Sequence, residues 1–243
     1  MPRGSMLAKA NPLMLEGWPL PTEFLSQLLA YHHRVSYEKG SLVFVRGAPS
    51  DLLMLVFDGV VRVYASQPDG GQRTYRLVGP GDFFGFVGLN DGERRVQGFD
   101  ACALTKCSVA VFTRRHLVQV LRSLTSAELI KLIAHMNLAW SRDLRRQLTL
   151  LELSFRERLI VMLRELSAKF GVPANDGIII DLKLVHGDLA EMVGCSRPII
   201  GRLLAEMQSA GVIEITRTGK ILFRQSFSAG SRSHKGSQRK DER

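Results

Sequence analysis

Between Gly187 and Phe223 the spacing of small, apolar and polar residues fits very few local structures. The segment opens Gly187-Asp188-Leu189-Ala190-Glu191-Met192-Val193-Gly194-Cys195-Ser196-Arg197-Pro198-Ile199-Ile200-Gly201-Arg202-Leu203-Leu204. A short helix carries Ala190 on its inner face. Four residues later, Gly194 marks a turn that calls for left-handed backbone, which glycine adopts freely and a bulky residue does not. Ser196 is placed to cap a second helix. Pro198 falls in that helix's first turn, where its missing N–H is of no consequence. Leu189, Val193, Cys195, Ile200 and Leu203 are spaced to meet between the two helices, which leaves Arg197 and Arg202 facing outward. This is a helix-turn-helix pattern, whose second helix enters the major groove of DNA. The residues that follow, from Val212 to Phe223, alternate around Thr218-Gly219 and predict a β-hairpin wing.

The N-terminal half has a different rhythm. Thr22 is placed to cap a helix over 23–31, with Phe24, Leu25, Leu28 and Leu29 inward. From Val35 the period becomes alternating, with glycine between short apolar runs at 41–45, 52–57, 60–64, 73–78 and 103–112. Short strands with turns every eight to twelve residues indicate a β-sandwich or barrel. Asp69-Gly70-Gly71 is a strong hairpin turn.

Helical periodicity returns after Phe112. A helix is expected over 113–121, and Thr125 with Glu128 then forms a capping box. Beyond it Leu129, Ile133, Met136, Trp140, Leu144, Leu148 and Leu151 recur every three or four residues. They make one apolar stripe on a helix of about 25 residues, roughly 38 Å long. No second long helix is present to cover it, so pairing with its own copy is expected, giving a homodimer. The alternative is that the β-domain covers the stripe. Arg142, Arg145 and Arg146 lie off it. Ser154 is placed to cap a further helix over 155–170, ended by Gly171 and Pro173, and a short strand follows at 178–182. Residues 228–243 are Ser, Gly, Lys and Arg with almost nothing apolar, which predicts disorder. Residues 2–6 look like the remnant of an expression tag.

The formal charge is +10, and its distribution is uneven. Residues 113–150 carry 7 basic and 2 acidic side chains, and 228–243 carry 5 and 2, whereas 1–112 and 151–227 are near balance at 11 against 10 and 10 against 9. Basicity favours a polyanionic partner but does not locate the contact. Three cysteines without framework spacing suit a reducing cytoplasm. No run approaches the ~18 apolar residues of a membrane span. No nucleophile–base pair, metal cluster or phosphate-binding loop stands out, so no enzyme is expected and no metal site is assigned.

Taken in order, these segments resemble the cyclic-AMP receptor/fumarate-nitrate regulator (CRP/FNR) family of bacterial transcription factors. The residues carrying the resemblance are Lys39-Gly40, Arg46-Gly47, Gly79-Pro80-Gly81-Asp82-Phe83-Phe84-Gly85, the long helix, Val193-Gly194-Cys195-Ser196-Arg197 and Gly201-Arg202-Leu203. The resemblance implies an α+β chain: an N-terminal cyclic-nucleotide-binding-type β-roll (jelly roll), a long dimerisation helix and a C-terminal winged helix-turn-helix. Its divisions would be 1–21 a flexible or tag-derived N-terminus, 22–112 the roll, 113–151 the connecting and dimerisation helices, 152–227 the DNA-binding domain and 228–243 a basic tail.

The resemblance also implies sites. Ser196, Arg197, Pro198, Gly201, Arg202, Arg217 and Lys220 would contact DNA, with Pro198 replacing a base-reading glutamate. The effector pocket would involve Gly85, Phe86, Val87, Arg94, Arg95, Gln97, Ser141 and Arg142. Phe86 stands where the family's ribose-binding glutamate would be, and Gln97 or Val96 where its phosphate-binding arginine would be. A buried phosphate without a bidentate cation is strongly disfavoured. The expected effector is therefore not cyclic AMP held in the usual way, with cyclic di-GMP or another small molecule as candidates. A ligand-independent or protein-regulated factor, with the roll as scaffold, and a cyclic-AMP-responsive regulator stay open as alternatives. No cofactor is assigned. The implied partners are a palindromic double-stranded operator, a second copy of the chain and RNA polymerase.

Overall fold

The computed structural model describes residues 22–68, 70–85 and 96–224. It opens with α1 (Thr22–Leu29) and then runs through eight strands: β1 (His33–Tyr37), β2 (Leu42–Phe44), β3 (Leu52–Asp58), β4 (Val61–Ser66), β5 (Gln72–Val78), β6 (Phe83–Phe84), β7 (Asp100–Ala103) and β8 (Cys107–Thr113). These form two four-stranded sheets, ordered β1-β8-β3-β6 and β2-β7-β4-β5. Met54, Val56, Val61, Val78, Phe84 and Val109 fill the space between them. The expected sequence of short glycine-punctuated strands is therefore present. Its helix and strand bounds need correction at several places.

The run 103–112 is two strands. Leu104, Thr105 and Lys106 leave the ladder because the Leu104 and Thr105 amides both donate to the Val60 carbonyl, at 2.9 and 3.3 Å, while the Val60 amide donates to the Thr105 hydroxyl at 2.9 Å. The first helix ends at Leu29 rather than Tyr31. The amides of Ala30 and Tyr31 bond three residues back, closing a tight turn. Thr113 sits outside α2 (Arg114–Ser123) as its cap, accepting from the His116 amide at 3.4 Å. The hairpin expected at 69–71 joins β4 to β5, with Ser66 opposite Gln72; Asp69 itself lies outside the described residues.

The long helix is α3 (Ser126–Glu152), 27 residues, with the Thr125–Glu128 capping box formed as expected. One side of it is held by the roll: Leu132 is buried with Leu25, Leu28, Leu55 and Phe112. Another side is uncovered. α4 (Phe155–Phe170) follows, capped by Ser154 through a second capping box with Glu157.

Gly171 was expected only to stop α4. It also begins β9 (Gly171–Ala174), which pairs with β10 (Gly177–Ile180). A Cβ on Gly171 would meet the Ser167 carbonyl oxygen at 2.0 Å, so the absence of a side chain is what permits the tight passage from helix to strand. The expected strand 178–182 is accordingly shifted to 177–180 and gains a neighbour. After α5 (His186–Val193) and α6 (Arg197–Ser209), the wing strands β11 (Ile213–Ile215) and β12 (Ile221–Phe223) complete a sheet ordered β11-β12-β10-β9.

The two halves are packed together. β4 does not alternate cleanly between buried and exposed, because both of its faces are covered. Val61 points into the roll, whereas Arg62 faces the helix-turn-helix and pairs with Glu191 of α5 at 2.6 Å. Arg62 also donates to Gln72 at 2.7 Å and lies 4.4 Å from the centre of the Tyr64 ring. Lys169 of α4 pairs with Asp82 and donates to the Leu77 carbonyl at 2.7 Å, while Asp82 accepts from the Gly79 amide at 2.8 Å. Burial pushes the Lys169 ammonium below its ordinary pKa, and Asp82 opposes that shift.

Two glycines in the roll separate conformational need from spatial need. Gly59 and Gly70 have nearly the same backbone, φ +77 and +82. A Cβ on Gly70 would meet nothing within 4 Å, but one on Gly59 would lie 2.2 Å from the Lys106 carbonyl oxygen and 2.7 Å from Cys107 Cα. Gly70→Ala should lose only the left-handed backbone term, about 1–2 kcal/mol. Gly59→Ala should lose clearly more, because the β7–β8 turn must also shift. Urea unfolding of both variants checks this; equal losses would refute it.

Candidate nucleic-acid interface

The helix-turn-helix is built as its sequence pattern predicts. Gly194 is left-handed at φ +79, and its amide donates to the Ala190 carbonyl at 2.8 Å. Leu189, Val193, Ile200 and Leu203 are buried in one core with Leu159, Leu163 and Ile213. Cys195 is only half-buried and packs at the margin of that core. Ser196 occupies the cap position of α6, but contrary to expectation its hydroxyl makes no capping bond. The N-terminal amides of α6 thus keep no side-chain acceptor from Ser196, and its first turn holds no acid.

The outward face of α6 presents the predicted residues. Ser196, Arg197, Pro198 and Arg202 are exposed. The Arg202 side chain is 72% exposed, with a long 3.8 Å contact to Glu206 one turn on, so its guanidinium is weakly engaged. Arg197 folds over the first helix: a Cβ on Gly187 would come within 3.2 Å of its guanidinium. Gly187, not singled out from sequence, therefore makes room for Arg197. At Gly201 a Cβ would meet only His186, at 3.9 Å, so packing does not demand glycine there.

In the wing, Thr216 closes the turn by exchanging bonds with Lys220, and Gly219 is left-handed at φ +76. Arg217 at the tip is exposed. Lys220, expected to be a phosphate contact alongside it, is instead engaged by Asp181. That ion pair must be shared or broken before Lys220 can reach a phosphate.

The candidate effector residues are not brought together as one described set. Phe86, Val87, Arg94 and Arg95 lie outside the described residues, as does the Arg142 side chain. Gly85 is left-handed at φ +82, and a Cβ there would sit 2.8 Å from the Leu52 carbonyl oxygen, so the fold itself requires it. Gln97 is buried and tied through its backbone to Gly47 and Ala48, at 2.9 and 2.8 Å. Ser141 is exposed on α3, and its carbonyl accepts from Arg145 at 3.3 Å. Arg146 grips Glu165 of α4 with two bonds, 2.6 and 2.5 Å.

Along the predicted stripe Leu129 is half-buried, while Ile133, Leu144, Leu148 and Leu151 are 57%, 55%, 53% and 61% exposed. The β-domain does not cover these four residues. The side chains of Met136 and Trp140 lie outside the described residues. Burial pushes the thiols of Cys102, Cys107 and Cys195 up, which suppresses their reactivity. Among the described residues no group of three or more His, Cys, Asp or Glu is placed to hold a metal, and no helix is long and apolar enough to cross a membrane.

Sequence reasoning missed the residues joining the two halves, chiefly Arg62, Glu191, Asp82 and Lys169. One signal was available: in Val61-Arg62-Val63-Tyr64 the arginine falls inside an apolar run, where both faces of a strand are expected to be covered.

Comparison with known proteins agrees with this architecture. The sequence model of the cyclic nucleotide-binding domain matches residues 34–123, and that of the Crp-like helix-turn-helix domain matches residues 157–225. The global nitrogen regulator of Synechocystis sp. is 29% identical over 185 residues, covering 75% of this chain and 80% of that protein. The CRP-like cAMP-activated global transcriptional regulator of Mycobacterium tuberculosis is 27% identical over 187 residues, covering 74% and 80%. The c-di-GMP responsive global regulator CLP of Xanthomonas campestris shares the fold, with a TM-score of 0.68 over 84% of this chain and 99% of that one, at 24% identity. With a cyclic nucleotide-binding domain followed by a Crp-like helix-turn-helix, this chain is a transcription regulator of the bacterial CRP/FNR family, and not an enzyme.

Proposed function

We propose that the protein is a homodimeric, sequence-specific DNA-binding regulator, divided as 22–112, 113–151 and 152–227, that reads a palindromic operator with α6. The observation that carries this reading is the outer face of α6, where Arg197 and Arg202 stand exposed on a helix whose inner face is locked into the core. Arginine reads guanine through O6 and N7, and the α6 amides and Arg217 supply phosphate contacts that set register. Pro198 cannot accept from cytosine N4 as a glutamate would, so discrimination at that base pair is weak. Arg202→Ala should cost about 1–3 kcal/mol of operator affinity and relax the preference at one guanine. Arg217→Ala should weaken all sequences alike and reduce the salt slope by about 1. Binding of selected and scrambled sites across a salt series reads both effects; a uniform loss for Arg202→Ala would sink the assigned role.

The exposed stripe on α3 supports the dimer, because four large apolar side chains along one helix face are costly to leave in water. A two-fold pairing places two recognition helices about 34 Å apart, matching successive major grooves. Leu144→Glu together with Leu148→Glu should give a monomer in sedimentation and abolish tight binding to a palindrome while leaving the circular dichroism spectrum helical. A dimer surviving the double substitution would place the interface elsewhere.

We further propose that the effector is not cyclic AMP bound in the family's usual way. Phe86 and Gln97 replace the acceptor and the cation such binding needs. The named relatives differ among themselves, one being cAMP-activated and another c-di-GMP responsive. Cyclic AMP should leave operator affinity unchanged, whereas cyclic di-GMP is the first alternative to titrate. A cyclic-AMP-dependent gain in affinity would show that other groups replace the missing pair.

A further inference from the structure

A cavity of about 300 Å³ opens where β5, α3 and α4 meet, with Met192 and Val193 of α5 also on its wall. Of the residues assigned to the roll's effector pocket, the described ones, Gly85, Gln97 and Ser141, do not line it. Among the described residues, five cations line it, Arg73, Arg76, Arg146, Arg158 and Lys169, together with two carboxylates, Asp143 and Glu165.

Internal pairing neutralises only part of this charge. Glu165 is taken by Arg146, and Lys169 by Asp82, which Arg76 reaches only at 3.7 Å. Arg158 bonds backbone carbonyls alone, those of Leu151, Leu153 and Val193, at 3.4, 3.0 and 3.4 Å. Arg73 makes no ion pair or side-chain hydrogen bond among the described residues. Arg73 and Arg158 converge beside Gly194, where a Cβ would lie 3.6 and 3.8 Å from their guanidinium groups. Among the described lining residues, Asp143 is the carboxylate that no ion pair already engages. The remaining wall is apolar, formed by Leu150, Met162, Leu166 and Phe170.

We infer that this cavity binds a small organic phosphate, its head on Arg73 and Arg158 and its body against the apolar wall. Guanidinium groups match phosphate oxygens in a paired geometry, and a phosphate monoester carries close to the two negative charges that the uncompensated arginines call for. The volume lies at the lower end of the ~300–1,000 Å³ typical of ligand pockets, which suits one phosphorylated unit. Such a ligand would touch the roll, the long helix and both α4 and α5 of the DNA-binding half, so its binding must bias how these elements sit together.

The test is calorimetric titration of the full-length protein with adenosine 5′-monophosphate and with inorganic phosphate, at low ionic strength and without DNA, so that it stands or falls separately from operator recognition. Saturable binding of the nucleotide is expected, tighter than that of inorganic phosphate. Arg73→Ala should weaken it about tenfold or more, whereas Lys106→Ala, at an exposed residue outside the cavity lining, should not. No saturable heat, or one affinity shared by the wild type and Arg73→Ala, overturns the site. Equal affinity for the two compounds overturns the role of the apolar wall.

Discussion

The contact of α5 with the outer face of β4 and β5 determines what the other elements can do. Its centre is the Arg62–Glu191 pair, with side chains 8% and 27% exposed. A charge pair so far removed from water contributes little net stability, because desolvation offsets most of the attraction. Breaking it by removing Glu191 is another matter, since Arg62 left alone is a buried, uncompensated charge. Arg62 is further fixed by Gln72 and the Tyr64 ring, and its Nε is buried without an acceptor. The contact therefore specifies one docking geometry more than it glues two bodies together. Around it, Val60, Leu77 and Leu104 of the roll join the apolar core of the DNA-binding half. The helix-turn-helix is thus held by its first helix, while the outer face of the second stays free.

The long helix works under two demands at once. Leu132 commits one side to the roll core, and Arg146, on another side, commits to α4 through Glu165. What remains is the line of Ile133, Leu144, Leu148 and Leu151, which nothing in the described residues covers. A helix anchored on two sides and bare on a third transmits any change in the pairing of its bare side to both anchors. In the proposed dimer this would couple the roll to the recognition helix.

Legibility in the sequence followed the range of the interactions. Gly194, the Thr125–Glu128 capping box, the Ser154 cap, the stripe on α3 and the wing turn at Thr218-Gly219 are set by residues within a few positions of one another, and each was readable. The split of 100–113 was not, because the turn at Leu104-Thr105-Lys106 has no glycine, proline or asparagine to announce it. It is held by Val60, more than forty residues away. β9 was hidden for a related reason. Gly171 and Pro173 read as breakers, yet β9 is the edge of its sheet, where a proline is tolerated, and Gly171 is demanded by close packing. Among the candidate site residues, Arg197 and Arg202 stand outward as their helical spacing required. Lys220 did not, since its partner Asp181 comes from a different segment. The docking residues are equally remote in sequence, and an arginine within β4 was the only local trace of them.

The same remoteness bears on regulation. The walls of the cavity come from β5, α3, α4 and α5, and these elements share no local sequence code; only the docked arrangement brings Arg73 and Arg158 into one site. Linkage then works in both directions. Whatever fills such a site is bound more tightly by the docked arrangement than by one in which α4 and α5 have moved off the roll, and so it favours the docked form. The size of that bias is limited by the ligand's own difference in affinity for the two arrangements; a tenfold difference is worth about 1.4 kcal/mol. A shift of that order is small beside the stability of a folded domain, but it is commensurate with the net strength of a contact whose buried ion pairs nearly cancel their own desolvation. An interface balanced in this way is one that a weakly bound metabolite or an operator can each tip.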